Sequence, residues 1–379
     1  MNSIQYSFNT KQEVLNFLQH FEGKNHQLNI LFSDLVFLED IEVTSAIQKA
    51  FHGAILMACS TAGEISNEKM SETTLVLTCV DFDHVRLKKC TYKLLSIQDS
   101  HNAGVSLGQD LLAADLKHVF ILSNGISVNG TRFIEGINSV IGSEINVSGG
   151  LAGDNGNFSK TYVADNDNEF TSDSISALGF YGERLITSSG SYGGWDSFGI
   201  DRVVTKSNEN IVYEIDGQPA LELYKSYLGD KSSELPGSAL FFPLEMRVSE
   251  DAELLVRTIL GVNESDNSLT FAGNIPEGSF VRLMKTNVNR VIDGAEKAAD
   301  IIKESMQEVP NLVIMISCVG RKLVLKQLTQ DEIEAVNQSW PKGTTYTGFY
   351  SNGELSKTKG QLGCNLHNQT MTLTAIAEI

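Results

Sequence analysis

Two short phrases in this chain carry residue types suited to holding a small ligand. ACSTAGEI (58–65) ends an apolar run in Ser60, Thr61, Gly63 and Glu64. GFYSNGEL (348–355) ends another in Tyr350, Ser351, Gly353 and Glu354. Hydroxyls and a carboxylate delivered at a strand end lie where α/β sheets usually bind ligands. The two phrases correspond position by position, with Tyr350 in the place of Ser60, and so predict duplicated architecture. Glu64 and Glu354 are then equivalent carboxylates, each either a ligand contact or a turn cap.

The densest glycine segment is GGLAGDNGNF (149–158). Glycines after a strand cradle phosphate where a helix begins at once, but here the pattern continues as β, and Lys160 followed by Thr161 opens a strand. Two readings stay open. One is a tight turn in which Asp154 bonds its own backbone. The other is close approach of a different ligand, with Gly150 and Asp154 as contacts.

Cys318 ends the apolar run VIMIS and precedes Gly320 and Arg321. A nearby guanidinium favours a nucleophilic thiolate, whereas a cysteine at a buried strand end commonly serves as a small hydrophobe. Arg257 and Arg282 lie in apolar β runs, where a buried guanidinium needs a partner. That partner is a carboxylate of the chain or the carboxylate of a ligand. His367, in GCNLHNQT (363–370), has only Cys364 nearby and falls short of a zinc site. One imidazole is enough for haem; the alternative is a turn histidine bonded to backbone. The remaining histidines form no HExxH or triad-like grouping, so nucleophilic hydrolysis has no support.

These residues need elements to position them. Helical spacing predicts helices over 11–22 and 41–51, and the apolar runs LNILF (28–32) and Ala54–Ala58 predict strands. TTLVLTCVDF (73–82) and VRLKKCTYKL (85–94) follow as strands. The order restarts with a helix at 103–113, KHVFILSNG (117–125) as a strand, a helix from Gly130, and strands at 145–151, 160–165 and 174–182. It restarts again with a helix over Val291–Met306, a strand at 311–320, a helix over Asp331–Gln338 capped by Thr329, and strands at 344–355 and 371–379. Three α-β-α-β-β units are therefore expected. Between the second and third lies a β-rich stretch, about 186–286, holding one helix near 218–228. The predicted class is α/β with mixed sheets built from these units, layered as an α-β-β-α sandwich with a β-rich insertion. The expected boundary near 195 divides the chain into 1–195 and 196–379.

Composition narrows the function classes. A net charge of −18 repels nucleic acid and anionic membrane, and no Lys/Arg cluster offsets it. No apolar run is long enough for a transmembrane helix, and the first residues lack a secretory pattern. Five widely spread cysteines fit neither a disulfide framework nor a CxxC pair, which points to a reducing cytoplasm.

Taken in order, the phrases resemble the FIST family. ACSTAGEI and GGLAGD (149–154) are similar to its N-terminal domain. VTKSNENIVYEIDGQPALELY (204–224), SCVGRK (317–322), GFYSNGEL and LHNQT (366–370) are similar to its C-terminal domain. The resemblance implies a sensory protein without catalytic activity that binds a small ligand, amino acids being proposed for the family. It also implies a separate partner such as a histidine kinase, diguanylate cyclase or phosphodiesterase. A NosP-like subset binds haem with nitric oxide as signal, and His367 would then be the metal ligand. The expected ligand contacts are Ser60, Thr61, Glu64, Gly150, Asp154, Arg257, Cys318, Arg321, Tyr350, Ser351 and Glu354. A homodimer, a cysteine-dependent enzyme using Cys318 and a pure interaction scaffold stay open as alternatives.

Overall fold

The computed structural model describes residues 1–67, 69–252, 254–357 and 363–379. The first pass of the chain lays down β1 (Asn2–Phe8), α1 (Lys11–Leu18), β2 (Leu28–Ser33), α2 (Leu35–Leu38), α3 (Ile41–Ala50) and β3 (Leu56–Ser60). A short arm, β4 (Glu64–Ser66) and β5 (Lys69–Ser71), precedes β6 (Leu75–Asp81). The second pass repeats this order: β7 (Arg86–Lys93), α4 (Ser100–Leu111), β8 (Leu116–Ser123), α5 (Gly130–Ile141), β9 (Asn146–Leu151), the arm β10 (Val163–Ala164) and β11 (Phe170–Thr171), then β12 (Ser174–Tyr181).

The third pass opens with β13 (Leu185–Tyr192) and is interrupted by an insertion. Its strands are β14 (Asp196–Asn208), β15 (Ile211–Ile215), β16 (Gln218–Pro219), β17 (Leu244–Arg247), β18 (Leu255–Arg257), β19 (Ile259–Asn263), β20 (Ser268–Phe271) and β21 (Phe280–Lys285), with α6 (Ala220–Leu228) among them. The unit then resumes with α7 (Val288–Ser305), β22 (Leu312–Cys318), α8 (Val319–Leu325), α9 (Thr329–Asn337) and β23 (Thr345–Ser351). The arm β24 (Gly353–Ser356) and β25 (Asn365–His367) leads to the closing strand β26 (Met371–Glu378).

Each unit makes the same sheet. Two parallel strands (β2 with β3, β8 with β9, β22 with β23) are flanked by an antiparallel strand and an outer edge strand. The arms are exchanged. β4 pairs with β23, β24 with β9, and β10 with β3, so each unit completes the sheet of the unit before it, the first completes the third, and the ring closes. The central strands are apolar on both faces, as LNILFS and LVIMISC are buried throughout. One face of all three sheets meets in a common core that includes Phe32, Phe120, Leu178, Ile314 and Phe349. The other faces are covered by helices: α1 and α3, α4 and α5, and α7 and α9.

Two expectations change in detail. The α-β-α-β-β unit gains an edge strand in front and an exchanged arm near its end. The sandwich becomes three α/β layers around one core, because the exchanged arms tie each sheet to a different neighbour. Thr329 lies in the first turn of α9 with Leu328 at the cap, and its hydroxyl bonds Lys326 O. The helical turn Lys326–Leu328 runs straight into α9, so no extended cap residue forms.

The insertion builds its own eight-stranded sheet and core around α6. It meets the third unit through Trp195 and Met284, which pack with Val291, Val324 and Leu325. No helix among the described residues is long and apolar enough to cross a membrane.

Candidate functional site: a cavity at the strand ends of the third unit

The ends of β3, β9 and β23 converge. Ala62 N–H donates to Tyr350 O (2.8 Å), Gly153 N–H to Ser60 O (3.0 Å) and Asn352 N–H to Leu151 O (3.1 Å). This cycle makes Ala62, Gly153 and Asn352 equivalent positions. Small residues occupy two of them because the backbones nearly touch: a Cβ on Gly153 would meet Ala62 N at 2.7 Å and Tyr350 O at 2.8 Å. Asn352 alone brings a polar side chain to the centre.

Most of the hydroxyls and carboxylates expected at a ligand are spent inside this scaffold. Thr61 Oγ1 donates to Glu64 Oε1, and Thr74 donates to Glu64 Oε2 through both N–H and Oγ1 (3.2 and 2.6 Å). Ser351 Oγ donates to Glu354 Oε1 (2.7 Å), and Thr370 donates to Glu354 Oε2 through N–H and Oγ1 (3.2 and 2.9 Å). Burial pushes both carboxyls up, Glu64 to about 7 and Glu354 to about 8, against the pull of these donors. Ser60 Oγ donates to Gly153 O and accepts from Tyr162 N–H. Gly150 faces packing instead, since a Cβ there would meet Ile316 Cγ2 at 2.8 Å.

Asp154 holds its own loop. Its carboxylate accepts N–H bonds from Phe158, Ser159 and Lys160 (2.9, 2.6 and 3.1 Å), which fixes Gly156 and Phe158 in the left-handed region. Arg321 is fully buried and gives Nε and Nη2 to Glu332 Oε2 (3.0 and 2.8 Å), with Val291 O and Gly193 O as further acceptors. Tyr350 Oη and Ser317 Oγ donate to the other Glu332 oxygen. Arg257 donates to Leu366 O and Asn274 O, and Arg282 pairs with Asp201. Ser60, Thr61, Glu64, Arg321, Tyr350, Ser351 and Glu354 are thus brought together at the centre, with Asp154 and Cys318 at its margin and Arg257 farther off beside β25.

The surroundings of His367 do not favour a haem ligand. The ring is buried, Nε2 lies 3.1 Å from Ser356 O, and desolvation pushes the imidazole down to about 4. It lies in the three-residue strand β25, paired across from Glu354. An axial ligand needs a free nitrogen facing a slot for the macrocycle; Nε2 is engaged with backbone and the ring is buried, so Nε2 is not available for that role.

A cavity of about 300 Å³ opens beside the centre. The third unit contributes Cys318, Val319, Gly320, Asn352 and Asn368; the loop of the second unit adds Gly156 and Phe158. The insertion closes it with Leu240, Thr258, Ile259, Leu260 and Ala272. It lies at the carboxyl ends of the parallel pair β22 and β23, the usual binding crevice of such sheets. Burial pushes the Cys318 thiol up, with Glu354 adding to the effect, so the lining holds a neutral thiol and no charged side chain.

Several polar atoms around the cavity lack partners. Asn352 has neither Nδ2 nor Oδ1 satisfied, and Asn368 Oδ1 and Thr258 Oγ1 are also unpaired although shut off from solvent. Each such orphan costs about 1–3 kcal/mol. A mostly apolar cavity with a few convergent polar groups is the usual form of a small-molecule site. Sequence reasoning reached Cys318 but missed Asn352, Asn368 and Thr258. The signal for Asn352 lay in the repeat itself, as the one polar residue at a position held elsewhere by Ala62 and Gly153.

Residues 27–218 match the FIST N domain and residues 220–357 the FIST C domain. The chain therefore belongs to the FIST family, whose domains are associated with sensory signal transduction. The junction of the two matches falls at β16, inside the insertion. The uncharacterized protein MJ1623 of Methanocaldococcus jannaschii is 27% identical over 210 residues, covering 51% of this chain and 39% of that protein. The alignment thus spans well under half of that relative's length. Among solved structures, cyanuric acid hydrolase from A. caulinodans is 8% identical, with coverage of 78% of this chain and 99% of that one. Its TM-score of 0.19 supports no argument about fold or activity.

Proposed function

We propose that this protein is a cytoplasmic sensory protein without catalytic activity. It binds a small metabolite in the cavity beside Asn352 and conveys that state to a separate signalling protein, such as a histidine kinase or a cyclic-di-GMP enzyme. The observation that carries this reading is the placement of unpaired buried polar groups from two bodies, the third unit and the insertion, around one cavity. A ligand bridging Asn352 and Thr258 would bind the two bodies in one relative position, and differential affinity of that kind is what shifts a conformational equilibrium. The chain passes into the insertion through Gly193 and Gly194, the latter with a φ of 86° that suits glycine. A cysteine enzyme finds no support in the raised, buried Cys318 thiol.

The test is a thermal-shift screen of the full chain against amino acids, amides, nucleobases and other small metabolites. A ligand of the native state must raise the melting temperature. At least one compound should do so in the wild type and fail in Ala272→Phe, which fills the cavity. Equal shifts in both proteins would refute the cavity as the sensory site. No shift with any compound would favour the scaffold reading.

A further inference from the structure

Resting on the cavity reading above, we propose that its ligand is an uncharged molecule joining a primary carboxamide edge to an apolar ring or chain. Charge is the first argument. A carboxylate or ammonium entering this cavity would lose its hydration and find no countercharge, since no charged side chain lines it.

The nearby ions are already engaged. Arg321 is held by Glu332 and backbone carbonyls, and Lys322 by Glu72 and Ala62 O. Asp154 is spent on its loop amides and Glu354 on Ser351 and Thr370. Glu354, pushed up to about 8, is mostly neutral at physiological pH. A free α-amino acid would bring two charges where neither has a partner.

The polar inventory is the second argument. Asn352 offers one carbonyl and one NH₂ side by side, and Asn368 Oδ1 adds an acceptor. A primary carboxamide brings one carbonyl and two N–H groups. Its carbonyl and one N–H match the Asn352 amide in a paired ring, and the second N–H is left for Asn368 Oδ1. The Thr258 hydroxyl, on the insertion's wall of the same cavity, can serve as donor or acceptor. An ester or ketone would leave the acceptors unpaired, and a carboxylate would add two more acceptors. Reaching these groups takes a side-chain rotation, because their polar atoms lie shut off from solvent in the ligand-free arrangement.

The remaining wall is apolar: Phe158, Leu240, Ile259, Leu260, Val319 and Leu323. The cavity's volume of about 300 Å³ admits a ring or short chain, and its uncharged lining disfavours a phosphorylated ligand. Phe158, 41% exposed at the rim, offers a ring face to an entering apolar group.

The experiment titrates the protein with benzamide, benzoate and acetophenone by isothermal calorimetry and ligand-observed NMR. Benzamide should bind about tenfold or more tightly than the other two, since one lost charge-free hydrogen-bond pair is worth that much. Asn352→Leu should weaken benzamide about tenfold, with Asn368→Leu as the second variant should the first fail to fold. Benzoate or acetophenone binding as tightly as benzamide would overturn the carboxamide class while leaving the site standing. Benzamide binding undiminished in Ala272→Phe would overturn the site itself. No binding by any of the three at millimolar concentration would likewise overturn the carboxamide class, whereas the cavity as the sensory site is decided by the metabolite screen and its filled variant.

Discussion

Glu64 and Glu354 occupy one position of the repeat and are held by the same set of groups. Thr61 and Thr74 supply the donors to the first, Ser351 and Thr370 to the second. Both carboxyls are buried deeply enough that desolvation outweighs their hydrogen bonds.

This fixes the sign of a pH dependence. A carboxyl raised to about 8 in the folded state ionises first in the unfolded chain, near its ordinary value of 4.5. The folded state therefore binds more protons between those values, and stability from Glu354 is present below about pH 4.5 and lost as pH rises toward 8. Glu354→Gln should remove this slope and stabilise the protein near pH 8 by a few kcal/mol, at about 1.4 kcal/mol per unit of separation. Urea midpoints at pH 5, 6, 7 and 8 measure it. An unchanged slope in the variant would show that Glu354 stays ionised.

His367 titrates with the opposite consequence. Its imidazole, pushed down to about 4, is neutral when folded, whereas the unfolded chain takes up a proton near pH 6.5. Its contribution is complete above about 6.5 and is lost as pH falls toward 4. His367→Leu should flatten that limb. With hemin added, wild type and His367→Ala should give the same spectrum, and a Soret band present only in the wild type would restore His367 as an axial ligand.

Arg321 and Glu332 form a pair with no exposure on either side. Glu332→Ala strands the guanidinium and should cost about 3–5 kcal/mol. Replacing both by Met and Leu should recover much of that loss. A double variant no more stable than the single one would mean that Tyr350 and Ser317, which also bond Glu332, carry the larger share.

All five cysteines are buried. Burial pushes Cys79 and Cys90 up to about 12 and Cys318 higher still. Ellman's reagent should therefore titrate five thiols in urea and almost none in native buffer at neutral pH. Fast labelling of Cys318 in the native protein would revive a thiol-based activity.

Asn352→Leu should leave stability unchanged or raise it by about 1–3 kcal/mol, because it deletes two buried polar atoms that lack partners. Calorimetric melting reads this directly. A marked loss of stability would reveal a partner that holds the amide in place.

The repeat was largely legible in the sequence. Buried parallel strands announce themselves as short apolar runs, and LNILF and VIMIS do so plainly. The pairing of Thr61 with Ser351 and Glu64 with Glu354 followed from two phrases alone, and a turn with Asp154 bonding its own backbone was one of the two readings of the glycine segment. β1 was missed although apolar Ile4, Tyr6 and Phe8 alternate with polar residues along it. α8 is a single seven-residue stretch, too short for helical spacing to declare itself. The arms were invisible for a different reason. A local pattern can say that 64–66 is extended, but not that its partner lies at 347–349. The cavity depends on that same long-range closure and on the insertion folding back over β22, so Asn352, Asn368 and Thr258 have no common signal in the chain order.

The exchanged arms also bear on how the chain is made. The strand at 64–66 emerges from the ribosome long before its partner at 347–349, and the sheet that receives it also needs 371–378. The first sheet can close once its borrowed arm at 163–171 has emerged, whereas the other two wait for residues 353–378. Until then, open strand edges are exposed to neighbouring chains. Synthesis of this protein should therefore depend on holdase chaperones more than its size suggests, and a chain cut before residue 353 should aggregate rather than fold in part.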